Sequence, residues 1–268
     1  MAILKLKKRK SEEQEEINHA INPIFFDSQS EIGVLLLHSF TGCPTIFHPL
    51  ADFLRAQGFT VYAPLVAGHG TSYKDLEKVT KEDWQNSVEE AYIFLRSKVK
   101  HVFIVGDSFG GNLAYDLAHR HQDICGVISM SSPITLRWHW LIKFRTMLYG
   151  WSKSYYKKPK RHHHPHHESY DIIPIKSLRE FLSFIEERTM KHLNEVKVPA
   201  LIIHAPFDPV IHPCSANYIF EHLGSVKKEL LWFESSLHGL LDDTKHDELL
   251  QIVSNFIHDT AKDCSMHQ

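Results

Sequence analysis

Val102-Phe-Ile-Val-Gly-Asp-Ser-Phe-Gly-Gly111 decides how this chain folds. Val102 to Val105 is a short apolar run rich in β-branched residues, the pattern of a strand covered on both faces. Gly106-Asp107-Ser108-Phe109-Gly110 then has the spacing G-x-S-x-G, and Leu113, Ala114, Leu117 and Ala118 follow at helical spacing. Strand, tight turn and helix in that order put Ser108 at the tip of a strained elbow with its hydroxyl in the open. Glycine is needed at 106 and 110 because side chains there would collide where the strand and helix backbones approach. Five residues with three fixed recur by chance, so the weight lies in the context, not in the bare pattern.

Working outward, apolar strand-like runs recur at Ile32–His38, Phe59–Ala63, Ile124–Met130, Pro199–His204 and Lys228–Phe233. Helical patterns lie between them, over 46–58, 80–95, 213–223 and 247–256. The second of these opens on Thr80-Lys-Glu-Asp83, close to a capping box. Strands alternating with helices at this pace predict an α/β fold, a mostly parallel central sheet with helices on both faces. Reactive groups in such a sheet gather outside the carboxyl ends of the strands. The alternation breaks over 134–195, which shows no clear strand but holds Trp138, Trp140, Trp151 and an amphipathic pattern at Leu178, Phe181, Leu182 and Ile185. The expected organisation is a core of residues 31–133 and 196–260, a helical cap inserted at 134–195, a polar lead at 1–30 and a polar tail at 261–268. Within the lead, Asn22-Pro-Ile-Phe-Phe26 is apolar enough to dock as an edge strand or over the mouth of the site.

A serine hydroxyl is a poor nucleophile at neutral pH and needs a base, which in turn needs an orienting carboxylate. After an elbow of this kind the order is Ser, acid, His, each just past a strand end. Asp208 fills the acid slot in Ala205-Pro-Phe-Asp-Pro-Val210, where Pro206 and Pro209 stiffen the loop. His238 fills the base slot in Ser235-Ser-Leu-His-Gly239; His246 and His212 compete with it by residue type but not by position. The developing oxyanion needs two backbone N–H donors. Phe109, the residue after the nucleophile, should supply one, and Phe40, in the loop after the first strong strand, the other. Their rings are then free to line an apolar acyl pocket.

This constellation resembles the α/β-hydrolase superfamily, most of all its bacterial carboxylesterases and monoacylglycerol lipases with a short helical cap. Leu35-Leu-Leu-His-Ser-Phe-Thr-Gly42 is similar to their L-L-L-H-G-F-T-G, Ala67-Gly-His-Gly70 to their G-H-G loop, and Asp83-Trp84 to their D-W helix start. The resemblance implies a serine hydrolase cleaving short- to medium-chain acyl esters or monoacylglycerols, with Ser108, Asp208 and His238 as triad and no cofactor or metal. An acyl thioesterase is the alternative within that chemistry, and a non-catalytic binding protein on the same scaffold the alternative outside it. Two positions depart from the pattern. Ser39 stands where the H-G glycine is usual, and Asp107 precedes the nucleophile where an apolar residue or histidine is common.

The bulk properties agree with a globular enzyme. The chain has 268 residues, 43% hydrophobic and 23% charged, with a formal net charge of -2. That argues against a dedicated nucleic-acid partner and leaves a small-molecule ester as the expected one. No run approaches the roughly 18 apolar residues of a spanning helix. The basic start Lys5-Leu-Lys-Lys-Arg-Lys10 is compatible with peripheral contact to an anionic membrane, but a solvated terminus is the preferred reading. Four cysteines, Cys43, Cys125, Cys214 and Cys264, form no C-x-x-C pair. Cys43 and Cys125 sit in or beside apolar segments and read as reduced, buried thiols, consistent with a cytoplasmic location. The run Arg161-His-His-His-Pro-His-His167 invites adventitious metal, but a triad requires none.

Overall fold

Residues 21–137, 155–158, 169–234, 238–243 and 245–264 are described by this computed structural model. Trp138, Trp140, Trp151 and the histidine run at 162–167 lie outside them. Strands β1 (Ile24–Phe26), β2 (Ile32–Leu37), β3 (Thr60–Ala63), β4 (His101–Asp107), β5 (Gly126–Met130), β8 (Ala200–His204) and β9 (Lys228–Trp232) form one sheet in the order β1-β3-β2-β4-β5-β8-β9. All neighbours are parallel except β1, which runs antiparallel to β3. The Asn22–Phe26 stretch is therefore an edge strand.

The continuous apolar runs follow from burial on both faces. Along β2, Leu35 and Leu37 enter one core layer while Val34 and Leu36 enter the other. Along β4, Val102 and Ile104 alternate in the same way with Phe103 and Val105. The first layer is closed by α3 (Lys81–Arg96) and α4 (Phe109–Arg120), which contribute Trp84, Val88, Leu113 and Leu117. The second is closed by α1 (His48–Ala56) and the C-terminal helix, with Leu50, Leu54, Leu249 and Val253. Thr80 caps α3 as the sequence predicts. Its side chain accepts from the Asp83 N–H, and Asp83 Oδ2 accepts from the Thr80 N–H at 2.8 Å.

Three expectations are corrected. The stretch 134–195 does contain strands: β6 (Tyr155–Lys157) and β7 (Ile172–Pro174) pair antiparallel, outside the main sheet. At three residues each, they are too short to show a period of two. They precede α5 (Ile175–Phe184), which continues into a π-helical stretch, Ile185–Met190. Second, the last helix does not stop near 256 before a polar tail. It runs His246–Cys264, because Ala261 is still buried and Cys264 is tied down. Third, Cys125 is not a reduced thiol but forms a disulfide with Cys264 across 139 residues of sequence, so it lends no support to a reducing compartment. Cys43 is buried, as expected. Two further helices, α2 (Tyr73–Leu76) and α6 (Cys214–His222), complete the labelled elements. Among the described residues, no helix is long and apolar enough to cross a membrane.

Candidate active site

Ser108 stands between β4 and α4 at φ 51° and ψ -115°, a backbone region that costs a non-glycine residue about 1–3 kcal/mol. Hydrogen bonds hold it there: its N–H donates to the Met130 carbonyl at 2.7 Å, and its own carbonyl accepts from Gly111 N at 2.9 Å. The glycines are explained by contact. A Cβ on Gly110 would lie 1.8 Å from the Leu37 carbonyl oxygen, and one on Gly106 would lie 2.3 Å from the Gly110 carbonyl carbon. The helix can start at the strand end only because neither atom exists.

The side chains singled out in the sequence converge on this point. His238 Nε2 lies 3.0 Å from Ser108 Oγ, and His238 Nδ1 lies 2.8 Å from Asp208 Oδ2. The second contact fixes the imidazole as the Nδ1–H tautomer, donating to the carboxylate and leaving Nε2 to accept from the serine. Asp208 is fully buried. Burial works to raise its pKa, but the hydrogen bond and charge of His238 and the N–H groups of Val210 and Ile211 on Oδ1, at 2.7 and 2.9 Å, outweigh it and leave the pKa lowered. The carboxylate is therefore anionic at neutral pH. The two competing histidines point elsewhere: His212 Nδ1 accepts from the Cys214 N–H, and His246 pairs with Asp247 and the Asp243 carbonyl.

Phe40 and Phe109 are brought together, with ring centroids 6.0 Å apart and edge to face. The Phe109 N–H belongs to the first turn of α4, where a helix offers no acceptor of its own. Phe181 of α5 stacks on Phe40 at 4.7 Å and tilts against Phe109 at 5.1 Å, and Phe184 meets Phe109 edge-on at 5.2 Å. Residues from the inserted stretch thus pack on the rings beside the nucleophile.

Of the two departures from the family pattern, Ser39 is accommodated by its neighbours and Asp107 places a carboxyl group in the interior. Ser39 O accepts from Gly42 N at 3.0 Å in a tight turn that carries Thr41 at φ 69°. A Cβ on Gly42 would come within 2.6 Å of Ser39 Oγ, so the added side chain fits because residue 42 has none. Asp107 is only 3% exposed, at the end of β4 opposite Met130.

Several residues around the site carried no assigned role in the sequence. His38 ties the loop after β2 to the loop after β3: its Nδ1 donates to the Ser39 carbonyl at 3.1 Å and its Nε2 accepts from Val66 N at 3.1 Å. Burial pushes the His38 imidazole down to about 3, so it stays neutral in that role. Arg137 Nε donates to the Asp208 carbonyl at 2.6 Å, and Leu136 bridges to Ile211, bracing the acid loop from outside. Tyr170 grips two loops at once. Its N–H donates to the Thr41 carbonyl at 3.0 Å, while its hydroxyl accepts from Thr71 N at 2.9 Å and donates to the Gly68 carbonyl at 3.2 Å. Local pattern could not flag these residues, because each acts across about 30 to 130 residues of chain. Tyr170→Phe keeps the ring against His69 but removes the partner of the Thr71 N–H and the Gly68 carbonyl, both only partly buried. It should cost about 0.5–1.5 kcal/mol in urea denaturation, and an unchanged midpoint would mean that the hydroxyl does not hold this loop.

Among the described residues, two side-chain groups have the composition of a metal site: His101, Cys125 and Cys264, and His119, His192 and Glu195. Neither includes a residue of the Ser108 constellation, and the first is committed to the disulfide.

Residues 29–245 match the family described as Serine aminopeptidase, S33 (Hydrolase_4). The chain is 33% identical over 222 residues to a thermostable monoacylglycerol lipase of Bacillus sp. (strain H-257), covering 80% of this chain and 85% of that protein. It is 27% identical over 232 residues to a carboxylesterase of Bacillus subtilis (strain 168), covering 84% and 91% respectively. Among solved structures, one of LipS and LipT, two metagenome-derived lipolytic enzymes, superposes with a TM-score of 0.82 at 26% identity, over 90% of this chain and 98% of that one.

Proposed function

Because the chain belongs to the serine hydrolase family described as Serine aminopeptidase, S33, and has the α/β-hydrolase fold, we propose that it hydrolyses short- to medium-chain acyl esters, monoacylglycerols among them, through an acyl-enzyme on Ser108. It is a carboxylester hydrolase. One observation carries the mechanism: the continuous hydrogen-bonded line Ser108–His238–Asp208, at 3.0 and 2.8 Å, on a serine held at positive φ.

His238 Nε2 takes the Ser108 proton as Oγ attacks the ester carbonyl. The tetrahedral oxyanion is held by the Phe40 and Phe109 N–H groups. His238 then hands the proton to the leaving alkoxide, and the acyl group stays on Ser108. Water enters, gives its proton to His238, and cleaves the acyl-enzyme. Asp208, kept anionic and immobile by two backbone N–H bonds, holds the tautomer and stabilises the imidazolium. Phe181 and Phe184 of the inserted stretch pack against Phe40 and Phe109 next to Ser108, and these apolar surroundings favour an acyl chain over a peptide.

The test is a series of p-nitrophenyl esters and monoacylglycerols of rising chain length, run beside acyl thioesters on wild-type protein. Higher kcat/KM on esters than on matched thioesters, with an optimum below long chains, is the expected result. Thioesters turned over faster at every length would move the reading to a thioesterase.

A further inference from the structure

The structure assigns a second site, remote from Ser108: we propose that His119, His192 and Glu195 bind a divalent first-row transition ion, Zn2+ being the natural occupant. His119 is in the last turn of α4, while His192 and Glu195 lie three apart in the helical turns leading from the inserted stretch back to β8. That spacing sets both on one side of the turn. His192 Nδ1 is 3.0 Å from Glu195 Oε1, and His119 Nδ1 is 3.5 Å from Glu195 Oε2. One ligand atom from each residue falls within 4.8 Å of the others. Two ligands about 2.0 Å from a tetrahedral ion stand about 3.3 Å apart, and each histidine nitrogen lies near that distance from one of the two oxygens of the Glu195 carboxylate.

The imidazoles stack at 4.3 Å with 20° between their planes, and an imidazole nitrogen binds a metal in the plane of its ring, so one of the two rings must turn about its Cβ–Cγ bond for both to reach one ion. His119 Nδ1 is shielded from solvent yet makes no hydrogen bond. One dication between the three side chains would satisfy both nitrogens and the carboxylate together, and two imidazoles with a carboxylate suit Zn2+. The backbone beneath is already fixed, since Gln122 Nε2 donates to the Glu195 carbonyl at 3.1 Å and Gly224 N to the Leu193 carbonyl at 2.9 Å. His119 lies eleven residues along α4 from Ser108, about 16 Å at 1.5 Å per residue, so the ion would take no part in the chemistry. Its effect would be to fasten the return of the inserted stretch to the helix that carries the nucleophile.

The test uses the full chain with His162, His163, His164, His166 and His167 replaced by serine, so that the histidine run cannot compete. Metal-stripped protein should gain about 5–10 °C in Tm at Zn2+ a hundredfold above its Kd, and His192→Gln should lose that gain with ester hydrolysis unchanged. Crystals soaked in ZnCl2 should show an anomalous peak between the three side chains. A gain of the same size in His192→Gln, or no anomalous peak at that position, overturns the proposal.

Discussion

Ser108→Ala is expected to lower kcat for ester hydrolysis by about 10⁴- to 10⁶-fold with little change in KM. The serine is the only group in the proposed scheme that bonds to the acyl carbon. The fold should survive, because the backbone bonds to Met130 and Gly111 that hold the elbow do not involve the hydroxyl, and alanine loses no hydrogen bond except that to His238. Circular dichroism and Tm should therefore match wild type, while labelling by a fluorophosphonate probe should vanish. His238→Ala should cost a similar factor, and Ser108→Ala combined with His238→Ala should cost no more than either alone, because the two act as a unit. Asp208→Asn should cost about 10⁴-fold, since an amide presents the wrong partner to His238 Nδ1. More than a few per cent of wild-type turnover in Ser108→Ala would end the acyl-enzyme scheme.

The second large effect is acid instability at mildly acidic pH. Burial pushes His38 down to about 3 and His69 to about 4. It also brings His204 to about 4, against the opposing charge of Asp208. In the unfolded chain each titrates near 6.5. Below that pH the unfolded state binds more protons than the folded one, so stability falls as pH falls. The contribution is fully present above about pH 6.5 and is lost progressively down to the folded values near 4 and 3. Each group costs about 1.4 kcal/mol per pH unit, so the three together cost about 4 kcal/mol per unit. Because each group stops contributing below its folded value, the three remove at most about 12 kcal/mol, so a domain of about 5–10 kcal/mol would unfold between roughly pH 3.5 and pH 5.5. Urea denaturation at pH 7.5, 6.5 and 5.5 should show a loss of about 1 kcal/mol over the first step and about 3 kcal/mol over the second, because the unfolded imidazoles are half titrated at pH 6.5. His204→Leu should reduce that drop by about a third. A midpoint independent of pH over this range would mean that these imidazoles are solvated.

The parts of the molecule that were legible in the sequence share a physical cause. The sheet strands are apolar on both faces because helices cover both, and that needs no knowledge of partners. The elbow glycines answer a clash between segments adjacent in sequence, as does the Thr80 cap. Asp208 and His238 could be selected from many acids and histidines because strand order places the loops after β8 and β9 on the same edge as the elbow. What was missed is of a different kind. The hairpin of β6 and β7 is too short to leave a periodic signal, and the last helix continues because its far end is fastened to Cys125.

The amino-acid sequence by itself determined the parallel sheet, the elbow that carries Ser108, though the residue is buried rather than in the open, and the order in which an acid and a base must follow. Those rest on local sterics and on hydrophobic period, both written within ten or twenty residues. Only the tertiary structure decided that Ser39 can stand beside Gly42, that neutral His38 ties the loop after β2 to Val66, and that Tyr170 clamps the loops at Thr41 and Gly68. It alone paired Cys125 with Cys264 and set His119 against His192 and Glu195. The reason is common to all: each is a contact between chain segments far apart in sequence. Its geometry depends on where the whole sheet puts them, and no short-range pattern records that.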